Sequence, residues 1–162
     1  MTMSFEIHKI TEADKNWLLD VVRQWGADFI VSRGRKIYPT EIAGFYAADK
    51  LGKKIGLVTF EIVRGQCEIV TLDAFEKSRG VGTSLLNKVV ETVREIGCNR
   101  VWLITLNDNL DAIRFYQRRG FSLCTIHKDA LTLSRKIKPS ISEIGQYGIA
   151  LRDEIEFEMI LV

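Results

Sequence analysis

The residues of this chain best suited to hold an anion lie between Val70 and Leu86. Val70 and Leu72 alternate as strand residues do. Gly80 and Gly82 follow, each tolerating positive φ and leaving the backbone bare where a ligand could approach. From Thr83 to Ile96, the residues Leu85, Leu86, Val89, Val90, Val93 and Ile96 recur with a helical period. Strand, glycine turn and helix start leave main-chain N–H groups unpaired at the positive end of the helix dipole, which is chemistry for a pyrophosphate. The turn is not a Walker A loop, because no Gly-Lys-Ser/Thr closes it. It is not a full dinucleotide fingerprint, because Leu85 stands at the third glycine position. A tight turn between packed elements would use the same glycines.

A second stretch narrows the choice. Asn109-Leu110-Asp111-Ala112-Ile113-Arg114-Phe115-Tyr116 is followed shortly by Gly120-Phe121. Together with Lys77-Ser78-Arg79-Gly80-Val81-Gly82, this resembles the GNAT superfamily of acyl-CoA-dependent N-acyltransferases. That family's phosphate loop runs Gln/Arg-x-x-Gly-x-Gly/Ala, and here Lys77 stands in the first position. The family's later motif is Asn-x-x-Ala-x-x-Phe-Tyr and then Gly-Phe, matched by Asn109, Ala112, Phe115, Tyr116, Gly120 and Phe121. The resemblance implies a single GNAT domain over 1–162. Its fold would be α/β (α+β), with a mixed, mostly antiparallel sheet of six to seven strands flanked by about four helices. It further implies a splayed parallel pair of strands and acetyl-CoA entering the gap.

With 162 residues, 46% of them apolar, the chain has the size and composition of one globular domain with a real core. A net charge of +2 is too small to suggest nucleic acid or a membrane surface as partner. No apolar run reaches the length of a membrane span, and the N-terminus lacks a signal peptide's basic and apolar regions. Cys67, Cys98 and Cys124 are far apart, odd in number and without metal spacing, so reduced thiols in a cytoplasm and no metal are expected. None stands beside a His, which argues against a nucleophilic cysteine.

The elements that would position the motifs follow from periodicity. Ser4 to Ile10 reads as a strand, and Thr11 as the cap of a helix burying Trp17, Leu18, Val21, Val22 and Trp25 up to Gly26. Ala27 to Thr40 is irregular and basic, either a solvated loop or a lining of the acceptor side. Glu41 to Ala48 fits a short helix or a strand equally. Lys54 to Val63, with Ile55, Leu57, Thr59 and Glu61 on one face, forms a hairpin with Cys67–Phe75 across Arg64-Gly65. Arg100 to Leu106 is nearly all apolar, as in a strand covered on both faces, and lies parallel to the strand from Cys67. Leu110 to Arg119 is a helix, Phe121 to His127 a strand, and Asp129 to Gly148 a long connection with a basic cluster at 135–138. Glu154 to Leu161 alternates as a strand with one buried face.

Acetyl transfer, the activity the resemblance implies, needs a held thioester, a polarised carbonyl, a deprotonated amine and a stabilised thiolate. By the family pattern, Lys77, Ser78, Arg79, Gly80, Val81, Gly82 and Thr83 hold the pyrophosphate. The backbone at Leu72 pairs with pantetheine and polarises the carbonyl, and Asn109 lies near the donor or simply caps its helix. Tyr116 is the candidate acid. An alkyl amine is protonated at neutral pH, and freeing its lone pair costs about 4 kcal/mol. Glu68 is the first choice of base because it shares strand parity with Val70 and Leu72, followed by Glu61 and Asp73. The acceptor, a small-molecule or peptide amine, is left open, as is a homodimer. The alternative to an enzyme is a non-catalytic acyl-CoA-binding sensor module.

Overall fold

A computed structural model describes residues 4–76 and 79–162. The described residues form β1 (Phe5–Lys9), α1 (Lys15–Arg23), β2 (Ile30–Ser32), β3 (Arg35–Ile37), β4 (Ala43–Asp49), β5 (Lys54–Val63) and β6 (Gln66–Ala74). They continue through α2 (Val81–Ile96), β7 (Arg100–Leu106), α3 (Leu110–Arg118), β8 (Ser122–His127), α4 (Ala130–Ile137) and β9 (Glu154–Ile160). Seven strands form one sheet in the order β1-β4-β5-β6-β7-β9-β8, and β2 and β3 form a separate hairpin. Only β6 and β7 among the sheet neighbours run parallel, joined by the crossover helix α2.

The apolar stripe of α2 buries Leu85, Leu86, Val89 and Val93 in one cluster with Val58, Phe60, Ile69 and Leu103 of the sheet. On the other face Leu18, Val21 and Val22 of α1 pack with Leu57. α2 ends at Gly97, whose φ of +100° is the left-handed stop a glycine allows.

Bulges decide which side chains reach which face. Pairing between β5 and β6 passes from Thr59–Thr71 to Phe60–Ile69, so Val70 is an extra residue. The simple alternation that put Glu68 with Val70 and Leu72 therefore fails. Glu68 lies opposite Glu61, on the face of Thr59, Thr71 and Asp73, while Leu72 packs on the α2 side. Ile55 is a second extra residue, between the pairs Ala47–Gly56 and Ala48–Lys54. It joins the α2-side core instead of the face it was expected to share with Leu57 and Glu61.

The parallel pair is short. Gln66 to Ile69 pair with Arg100 to Leu103, and beyond that point no pairing links β6 with β7. β7 continues to Leu106 against β9 alone. The strands part as the resemblance implied. Ile104 and Leu106 are only half-buried, because the expected cover on their face is in part a cleft.

Three stretches left open in sequence take definite form. Ala27 to Thr40 contains the β2–β3 hairpin, turned by Arg33 (φ +51°) and Gly34 (φ +73°), the pair of positive angles a tight hairpin needs. Glu41 to Ala48 resolves into the end of a short 3₁₀ turn and the strand β4. The long connection from Asp129 holds α4, which packs against β2.

Candidate functional site

A cleft of about 620 Å³ occupies the gap where β6 and β7 part. Thr71, Leu72 and Asp73 form one wall, Ile104 to Leu106 the other, with Asn109, Ala112, Tyr116 and Gln146 at its α3 end. A continuation of about 390 Å³ carries the groove past Leu72, Ala74, Phe115 and Tyr116 to Gly82 at the start of α2.

The start of α2 has the expected form. Gly80 precedes it at φ +75°, and the first helical bond runs from the Ser84 N–H to the Gly80 carbonyl at 3.0 Å. The N–H groups of Val81, Gly82 and Thr83 thus have no partner within the helix, and no acid stands in its first turn. A β-carbon on Gly82 would stand 3.5 Å from the Phe115 ring, an ordinary contact, so space in the fold does not require glycine there. Arg79 is held by Glu76 and by the Ser4 hydroxyl, the latter at 2.7 Å. Lys77 and Ser78 lie outside the described residues. A cation that sequence reasoning missed, Arg119, donates to the Thr83 hydroxyl at 2.7 Å and stacks 3.8 Å over the Phe115 ring. It ties the end of α3 to the first turn of α2 and brings positive charge there.

Asn109 caps α3, its side-chain oxygen accepting from the Ala112 N–H at 3.1 Å, and also lines the cleft. The cap fixes the start of the helix and so the direction in which Tyr116 projects. Tyr116 is buried at the floor of the groove, edge-on to Phe115 and Phe121 at 5.1 and 5.6 Å. Among the described residues no hydrogen-bond partner meets its hydroxyl, and burial raises its pKa above the ordinary phenol value. The turn 145–148 closes this end, with the Gln146 N–H donating to the buried Asp108 carboxylate at 2.8 Å.

Glu68 stands on the opposite side of the splay from Tyr116's helix. Its side chain is almost fully buried beneath the β2–β3 hairpin. Ser32 of β2 donates to one carboxylate oxygen at 2.6 Å and Arg35 of β3 to the other at 3.3 Å. Arg35 also pairs with Glu61, directly opposite on β5, offsetting the repulsion of two facing carboxylates. Burial raises the pKa of Glu68, an effect the Ser32 hydroxyl and the Arg35 guanidinium only partly offset. Ser32, Arg35 and Gln146 were not legible as site residues. The one usable signal was Arg33-Gly34 between short apolar runs, which marks a hairpin.

A second cavity of about 210 Å³ adjoins Glu68, between the hairpin, α4 and the sheet. It shares Ile30, Val70 and Ile104 with the large cleft. The almost fully buried Glu154 also lines it, bonded by the Arg33 N–H at 3.2 Å and by the Arg33 guanidinium at 2.9 Å. All three cysteines are free, and burial pushes the Cys67 thiol up to about 12, far from a thiolate at neutral pH.

Comparison with known proteins agrees with this architecture. Residues 11–121 match the sequence model of the acetyltransferase (GNAT) family. The uncharacterized protein YdhI of Bacillus subtilis is 36% identical over 151 residues, covering 93% of this chain and 94% of its own. Two solved structures share the fold: the IAA acetyltransferase of Bacillus cereus, at a TM-score of 0.72 and 24% identity over 98% of this chain and 100% of its own; and a GNAT family acetyltransferase of Elizabethkingia anophelis with acetyl-CoA bound, at a TM-score of 0.72 and 20% identity over 99% and 100%. With a matched family model spanning both the glycine turn and the Asn109–Phe121 motif, this chain belongs to the GNAT family of acetyltransferases.

Proposed function

We propose that this protein is a cytoplasmic enzyme transferring an acetyl group from acetyl-CoA directly to the nitrogen of a primary amine. The observation that carries the reading is the pair of cavities that share Val70 and Ile104 at the splay, with Tyr116 lining the larger and Glu68 the smaller. The donor fits what is there: three N–H groups of α2 without a partner inside the helix, Arg119 beside them, and a bare Gly82 facing the groove suit a pyrophosphate. The parted edge of β6 near Leu72 offers main-chain groups to the pantetheine arm and to the thioester carbonyl.

In this reading Glu68 takes a proton from the incoming ammonium and passes it to solvent. Its raised pKa suits it to that task better than an exposed glutamate. The freed nitrogen bonds to the carbonyl carbon, the carbon–sulfur bond breaks, and the second nitrogen proton ends on sulfur. Tyr116 donates a hydrogen bond to that sulfur. Because burial makes its phenol a weaker acid than usual, stabilising the thiolate is its main part, with the proton passing by relay. The protonated, buried Cys67 favours direct attack over an acyl-cysteine.

A thiol-release assay with acetyl-CoA and an amine panel tests the reading. Turnover with one or more primary amines and no burst is expected. A trapped acyl-enzyme would overturn direct transfer. Stabilisation by acetyl-CoA without turnover on any amine would instead indicate a sensor module.

A further inference from the structure

Resting on that reading, the second cavity narrows the acceptor. We propose that it is the acceptor pocket and that it takes a small primary monoamine with an apolar body, its nitrogen turned toward Glu68 and the splay.

Three observations carry this. The first is size. An apolar cavity of about 150 Å³ holds a benzene molecule, so about 210 Å³ has room for one ring or a six-carbon chain with a short arm. A whole peptide segment or an aminoglycoside exceeds that volume. The second is lining. Val31 of β2, Ile104 of β7, Leu131 of α4 and Ile141 beyond it present only hydrocarbon. Ser32 and Ser134 line it too, but their hydroxyls already donate to Glu68 and to the Ala130 carbonyl, so the hydroxyls or amides of a polar acceptor would lose hydrogen bonds on entry.

The third is charge. Glu68 and Glu154 both border the pocket; Arg33 compensates Glu154, whereas Glu68 shares the single guanidinium of Arg35 with Glu61. Lys138 also lines it, and among the described residues no acid pairs with that ammonium. Burial lowers its pKa, in keeping with a cation facing a poorly hydrated space. One ammonium can enter and give up its proton to Glu68. A second on the same molecule would meet Lys138 with no carboxylate left to balance it.

The probes are hexylamine and 2-phenylethylamine, set against 1,6-diaminohexane and an alanine-led tetrapeptide, with acetyl-CoA as donor. The monoamines are expected to exceed the diamine and the peptide in kcat/KM by at least ~10-fold, the scale of a mismatched pocket. Ile141→Phe, at the half-exposed edge, and Leu131→Phe, in the wall, are each expected to lower monoamine kcat/KM by ~10-fold or more with the KM for acetyl-CoA unchanged. Lys138→Ala should narrow the gap between hexylamine and 1,6-diaminohexane. Preference for the peptide or the diamine, or monoamine turnover indifferent to Ile141→Phe, overturns the pocket assignment and leaves the transferase reading standing. Absence of thiol release with every amine, while acetyl-CoA still raises the melting temperature, overturns both.

Discussion

The cleft at the splay and the pocket beneath the hairpin meet at Val70 and Ile104, yet they are built differently. The cleft is set by the backbone of three places, the start of α2, the parted edge of β6 and the capped start of α3, with Leu72, Phe115 and Tyr116 among the residues lining it. Nearly all of it comes from one contiguous stretch, residues 69–119. The pocket is walled by side chains from β2, β6, β7, α4 and β9, far apart in the chain. A backbone site needs a few glycines and a cap and tolerates most other substitutions. A side-chain site changes shape with each residue that lines it. In this reading the donor is therefore fixed by the fold, while the acceptor is chosen by residues that can vary without disturbing it.

That contrast can be broken most sharply at Glu68. Glu68→Gln is expected to lower kcat by ~10²-fold or more, the usual worth of a positioned base, with CoA affinity unchanged by calorimetry. The wild-type kcat should fall as acid protonates this carboxylate, at a pH above that of an ordinary glutamate because burial raises its pKa. The substitution should abolish that limb of the profile. If Glu68→Gln retains full turnover, the base lies elsewhere.

On the donor side, Gly82→Val is expected to weaken CoA binding at least ~10-fold, or ~1.4 kcal/mol. Its melting temperature should hold, since the first added carbon meets Phe115 at an ordinary distance. Normal CoA affinity in a folded variant would remove the pyrophosphate from this turn. Tyr116→Phe should slow turnover about 10-fold, the scale of one strong hydrogen bond, with donor affinity nearly intact. Equal loss of both would make the hydroxyl structural.

The smallest effect is a control outside both regions. Asp14 accepts from the Thr11 N–H at 2.8 Å and pairs with Lys54 at 3.3 Å. Burial raises its pKa, but the Thr11 and Lys54 contacts outweigh it and hold the group below its usual value. The stability it supplies is thus present above the unfolded-state pKa and lost as pH falls through the lower folded-state one. Asp14→Ala should cost about 1 kcal/mol near neutrality, less in acid, and leave kcat/KM unchanged. A change in kcat/KM would mean that α1 communicates with the site.

Much of the molecule was legible because local physics wrote it. The stripe Leu85 to Val93, the stop at Gly97, the cap at Asn109 and the alternation from Ile155 to Leu161 each follow from a period or a turn residue. The failures are equally local. The bulges at Ile55 and Val70 need no special residue, since the extra position does not require glycine, so nothing marks them. Helix α4 is eight residues long, with no side-chain cap and with Asp129 before it at φ +60°, so it carries few of the usual start signals. Glu68 was the first candidate for a reason the bulge removes. What supports it in the structure is burial between Ser32 and Arg35.

By itself the sequence determined the helices, most of the strands and the turn that opens α2, because glycine conformations, capping oxygens and apolar periods act over a few residues. Only the tertiary structure decided which face of the sheet Glu68 occupies, that the hairpin and α4 enclose a pocket beside it, and that Arg119 supplies charge at the α2 turn. Those depend on strand register and on contacts across 36 to 121 positions of chain, and no local preference encodes them.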